Sequence, residues 1–349
     1  MALVWSTDVT ASPGFDQAYH SWWTQSGVWR RLGFEDPGSP PQITAHPHED
    51  GSTRWSSFAD PLDAPVPRRA RNTSGVPLQA PQVPKEVLSR LKPDTVILAV
   101  IDGAMALNNA RFRNAAGQSS ILYAWTMGAA WQQGQYDLPY GRQVWAHELE
   151  ATQRAHSQGG RIDEAACDRA LGLLDMHSFD GPRMLGLSST HGTHVLDLAA
   201  GQPQDEEDAQ IAVMAVSLPE QITRDTSGTF LQAFAIDALH AIVDRADALW
   251  EACGFEGETP GFPIVVNFSY GVSAGPKDGW MELEREVDRL THARQTGGLA
   301  PLRMVMPAGN DNLAQTQAQI SLPRGDSEAL SWRLPPGDYS VSYLEIWMP

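Results

Sequence analysis

The chain has 349 residues, 25 Lys+Arg against 42 Asp+Glu for a net charge of −17, 42% hydrophobic residues, 30 Gly and 25 Pro. That apolar content excludes disorder for most of the chain, and no uninterrupted apolar run approaches the ~20 residues of a membrane-spanning helix. The acidic balance argues against nucleic acid as a partner, because phosphate binding rests on clustered Lys and Arg.

In chain order, residues 1–92 are irregular: Trp22, Trp23 and Trp29 come early, and Pro and Gly accumulate from Pro37 to Pro84 with no sustained period. They read as an extension with little secondary structure, and Arg68-Arg69-Ala70-Arg71 reads as a solvated linker. Met1 to Thr10 lacks a basic region followed by an apolar one, so no export signal is seen and a cytoplasmic location is the expectation. From Thr95 to Ile101 a near-continuous aliphatic run ends at Asp102-Gly103, the look of a strand buried on both faces of a parallel sheet.

Residues 105–190 form a long excursion with helical stretches at Val144–His156 and Asp163–Leu174, and a further helix starts near Ser189-Thr190-His191. Three more strand-like runs follow at Ile211–Leu218, Pro263–Phe268 and Leu302–Met306. Between the first two, Leu231, Phe234, Ala238, Ile242, Ala246 and Leu249 recur at helical spacing, with Gly254 placed to stop the helix. Between the second and third, Leu283, Val287 and Leu290 face inward and Glu282/Arg285 and Glu286/Arg289 face outward. Strand, helix, strand, helix, strand predicts a doubly wound parallel α/β sheet. Cys167 and Cys253 fall in separate helical segments and read as structural thiols, not a disulfide framework.

In such sheets, ligands and catalysis gather beyond the carboxyl ends of the strands. The residues there are Asp102 after the first run, Ser269-Tyr270-Gly271 after the third, and Gly309-Asn310 after the fourth. Singly, each has a plainer explanation as a turn former or cap. His191, His194 and Asp197 share a helix face, but a zinc site needs three or four convergent ligands and no third His or Cys has motif spacing. Asp225-Thr226-Ser227-Gly228 reads as a cap before the following helix.

Together, in this order, Val100-Ile101-Asp102, Thr190-His191-Gly192-Thr193-His194-Val195, Asn267-Phe268-Ser269-Tyr270-Gly271 and Pro307-Ala308-Gly309-Asn310 resemble the subtilisin-like serine peptidases, over roughly residues 94–311. The resemblance implies a serine endopeptidase with a peptide or protein substrate. It implies that Asp102 orients the imidazole, that His191 is the general base and that Asn310 donates to the oxyanion. It also implies that Ser269, Tyr270 and Gly271 pair with substrate main chain, that Gly192 clears space for a peptide, and that His194 is structural. No cofactor is expected; structural calcium is common in the family, but no ligands are assignable here.

Two departures concern Asp102, which is followed by Gly103-Ala104 where the family has Ser or Thr and then Gly, and the long spacing to His191, which implies an insertion. The third concerns the nucleophile. The family carries it in a Gly-Thr-Ser segment beyond the oxyanion asparagine, no Gly-Thr-Ser occurs here, and the expectation is that it lies past Pro349. The tail, Leu330–Tyr339 and then the alternating Ser340–Trp347, reads as the opening of a β-rich insertion. The expected organisation is thus an extension over 1–92, an incomplete peptidase core over 93–320 and the start of a β-rich insertion over 321–349. The alternative is a non-catalytic module that keeps the peptide-binding edge. A nucleotide-binding protein is disfavoured because no Gly-x-Gly-x-x-Gly follows a strand.

Overall fold

The structure is a computed structural model that describes residues 3–6, 44–47, 53–56, 68–178, 181–201, 210–223, 231–257, 259–272, 279, 281–310, 318–329 and 331–334. The chain divides into two compact units, residues 1–59 with 310–349, and residues 60–309.

The second unit is built on a six-stranded sheet. Its strands are β1 (Val96–Asp102), β2 (Ile121–Thr126), β3 (Arg142–Trp145), β4 (Ile211–Ser217), β5 (Ile264–Phe268) and β6 (Leu302–Val305), in the order β6-β5-β1-β4-β2-β3. All neighbours are parallel except β2 and β3. This is a mixed α/β fold with a mainly parallel central sheet. The register sets Asp102 beside Ser217 and Ser217 beside Thr126, so three strands end level at one rim.

The longer helices are α1 (Ala146–Ala155), α2 (Glu164–Ala170), α3 (His191–Ala200), α4 (Leu231–Cys253) and α5 (Glu282–Thr296), and four-residue helices lie at Lys85–Leu88 and Glu220–Thr223. The six α4 positions expected to face inward are all buried. On α5, Leu283 and Leu290 are buried and Val287 is half-buried, while the stripe continues with the buried Arg294, whose guanidinium reaches Asp247 at 2.8 Å and the Ala300 carbonyl at 2.7 Å. A separate cluster of Val100, Met105, Phe112, Ile121, Leu149 and Leu196 joins β1, β2, α1 and α3.

Three expectations change. The excursion over 105–190 supplies two strands of the sheet, β2 and β3, in addition to helices α1 and α2. All six residues of β2 are buried, so it shows no alternation, and it lies directly beside β4. Second, the basic patch is not a solvated linker. Ala70 is fully buried, its carbonyl accepts from Gly141 N at 2.6 Å, and Arg69 pairs with Asp175 at 2.5 Å.

Third, residues 1–92 hold strands at Leu3–Ser6, Thr44–Pro47 and Thr53–Ser56, and the sheet-bearing unit spans residues 60–309. Leu3–Ser6 pairs antiparallel with Ser331–Leu334, and Thr44–Pro47 with Thr53–Ser56. The expected strand over 340–347 and the Asp225–Gly228 cap lie outside the described residues.

Candidate functional site

The rim where β1 ends is organised around one carboxylate. Asp102 is the last residue of β1 and its side chain is 5% exposed. Its Oδ1 accepts from Gly103 N at 2.7 Å and meets His191 Nδ1 at 2.8 Å. His191 opens α3, and its ring is 68% exposed. The structure therefore brings Asp102 and His191 together across 89 residues of sequence. With its proton on Nδ1 the imidazole donates to the carboxylate, which leaves Nε2 as the basic nitrogen of the largely exposed ring.

Asp102 Oδ2 is buried and has no hydrogen-bond partner among the described residues. A buried acceptor left open is uncommon and calls for a donor. A cavity lined by Ala104, Met105, Thr126, Ser217 and Leu218 opens at the same strand ends.

The start of α3 is pressed onto the segment leaving β1. A Cβ on Gly192 would sit 2.7 Å from the Gly103 carbonyl oxygen and 2.8 Å from that of Ala104. Gly192 thus makes room for the chain's own backbone. His194, expected to be structural, is exposed.

At the end of β5, Asn267 Nδ2 donates to Ser269 Oγ at 3.0 Å, and the Tyr270 ring stacks on Phe268 with centroids 6.2 Å apart. A Cβ on Gly271 would lie 2.5 Å from Gly309 Cα, and Gly309 has φ +100°. The segments leaving β5 and β6 therefore meet backbone to backbone. Asn310 follows Gly309, is exposed, and is the first residue of the other unit's second segment.

Among the described residues no hydroxyl or thiol is bonded to His191. Cys167 and Cys253 are free thiols, and burial pushes both up, away from the thiolate a nucleophile needs. Among the described residues no group of three or more His, Cys, Asp or Glu side chains could hold a metal ion, and no helix is long and apolar enough to cross a membrane. Sequence reasoning missed Thr190 and Thr193 as contributors to this rim. The only available signal was two hydroxyls three residues apart flanking the first histidine.

Fold and rim together define a mixed α/β protein that presents an Asp–His pair at the carboxyl ends of a mainly parallel sheet. No protein-family model and no curated protein matches the sequence. Among solved structures, the CspB protease of Clostridium perfringens aligns with a TM-score of 0.40 and 18% identity, over 64% of this chain and 38% of that one.

Proposed function

We propose that this chain carries the acid–base half of a subtilisin-like serine endopeptidase site. The observation that supports it is the Asp102–His191 bond at 2.8 Å, made by a buried strand-end carboxylate to an exposed imidazole. In this reading Asp102 holds the ring in the Nδ1–H form and stabilises the imidazolium. His191 Nε2 takes the serine proton as the hydroxyl oxygen adds to the peptide carbonyl, and returns it to the departing amine. Asn310 donates to the oxyanion, and Ser269, Tyr270 and Gly271 align the substrate main chain. No nucleophile is assigned among the described residues.

The test is a serine-directed phosphonate followed by intact mass, applied to residues 1–349 and to the product of the natural reading frame, including whatever follows the Pro349 codon. The expected result is no stoichiometric adduct on residues 1–349, and one serine adduct on the longer product that is lost in His191→Ala. An adduct within residues 1–349 would place the nucleophile in this chain instead. The lack of a hydroxyl bonded to His191 among the described residues favours a second reading, a peptide-binding module without catalysis. Peptide binding by a longer product, or by a frame that stops at Pro349, without any adduct would support that one.

A further inference from the structure

We infer that the hydroxyls of Thr190 and Thr193 form a clamp that sets the Asp102–His191 geometry; the inference rests on the Asp–His reading above. Thr190 Oγ1 donates to the Ala104 carbonyl at 2.8 Å, and its other contact is Thr193 Oγ1 at 2.6 Å. A hydroxyl has a single proton, so Thr193 must be the donor between the two. Thr193 Oγ1 in turn accepts from Ala106 N at 2.9 Å. The direction of every bond is thereby fixed, from Ala106 N–H through Thr193 and Thr190 to the Ala104 carbonyl, with both ends on the segment that leaves β1.

Two further facts separate this from ordinary helix capping. Thr190 occupies the N-cap position of α3, where a threonine hydroxyl usually accepts from the helix's own first amides, yet it makes no side-chain cap bond. Its hydrogen bonding is turned toward the Asp102 loop instead. Moreover, His191 is 68% exposed, so packing does little to hold its ring. Its place relative to Asp102 depends on how α3 is seated against residues 103–106, and the two hydroxyls and the close approach at Gly192 make that seat. Thr190 and Thr193 are positioning residues acting through His191.

The readout is the His191 tautomer, measured from the ¹⁵N shifts of the imidazole in ¹⁵N-histidine-labelled chain at a pH where the ring is neutral, and identified by its loss in His191→Gln. A carboxylate-held ring is Nδ1–H; a free imidazole favours Nε2–H. The unaltered chain is expected to show Nδ1–H in excess. Thr193→Val and Thr190→Ala are expected to move His191 toward Nε2–H while near-ultraviolet circular dichroism stays native, and Thr193→Ser is expected to retain the original ratio. Thr190→Ala removes no helix cap, so it reports on the clamp even if Thr193→Val fails to fold. If Asp102→Ala leaves the ratio unchanged, the Asp–His pair itself is refuted. If Asp102→Ala shifts it and the folded threonine variants do not, however much they lower Tm, the pair stands and the clamp is overturned.

Discussion

A single methyl group separates Gly192 from a residue the site cannot accept. The atoms a Cβ would strike are the Gly103 and Ala104 carbonyl oxygens, which are backbone and cannot rotate away, so either α3 or the β1 exit must shift. Gly192→Ala is expected to cost about 1–3 kcal/mol, the usual scale for overpacking, even though alanine favours helix. Urea unfolding measures the cost, and a stabilised variant would mean the two segments are not in contact. Asp168 on α2 makes a different residue-scale case. It is buried, accepts from Asn108 Nδ2 at 2.7 Å, and desolvation pushes its carboxyl up to about 6 from an ordinary 3.8. Between those values the folded chain keeps a proton that the unfolded chain releases, so stability falls as pH rises through the window and the loss is complete above about 6. Asp168→Asn removes that titration. Relative to the parent it should gain up to about 3 kcal/mol between pH 4 and pH 7, at about 1.4 kcal/mol per pH unit. Parallel stability curves for the two proteins would refute the assignment.

At the scale of elements, legibility follows burial geometry. β1, β4 and β5 were legible because long aliphatic runs end in polar residues, and α4 because its apolar positions fall on one face. β2 was not, since a six-residue run buried on both sides has no period and Tyr123 and Trp125 carry polar handles. β3 was hidden by Arg142 and Gln143. Gln143 is nonetheless buried, accepting from Arg245 at 3.0 Å, while Arg245 also reaches Asp137 at 2.9 Å. Those partners lie about a hundred positions apart, so no local pattern could show that an arginine on α4 faces inward. The site divides the same way: Asp102 was legible from its place at a strand end, whereas the Thr190–Thr193 chain exists only once α3 is seated. β6 is an edge of the sheet, and it exposes Val305 at 53% with Met306 beyond it at 44%. Unpaired apolar edges template association. Val305→Lys is expected to reduce self-association in light scattering and leave Tm nearly unchanged, as surface substitutions usually do. Undiminished association would locate the adhesive surface elsewhere.

For the whole molecule, the question is which part carries the fold. All six strands of the central sheet and all five labelled helices lie within residues 60–309, as does the cluster joining β1, β2, α1 and α3. The N-terminal part of that stretch is tied in by backbone bonds, with Asn72 N donating to the Pro139 carbonyl at 2.9 Å and Gln79 N to that of Tyr136 at 2.9 Å. Cutting at 93 would sever these bonds and remove Arg69 from Asp175, whose carboxyl is held far below the usual range by bonds from Ser178 and Arg69. A chain of residues 60–309 is therefore expected to fold alone, with one cooperative urea transition and the Nδ1–H form of His191 intact, because it holds all six strands of the sheet and the helices and core cluster that pack on them. A chain of 93–309 should unfold at lower urea, having lost the buried Ala70 and the strap that bonds to residues 136–141. Equal stability for the two fragments would show that residues 60–92 are the passive extension their composition suggests.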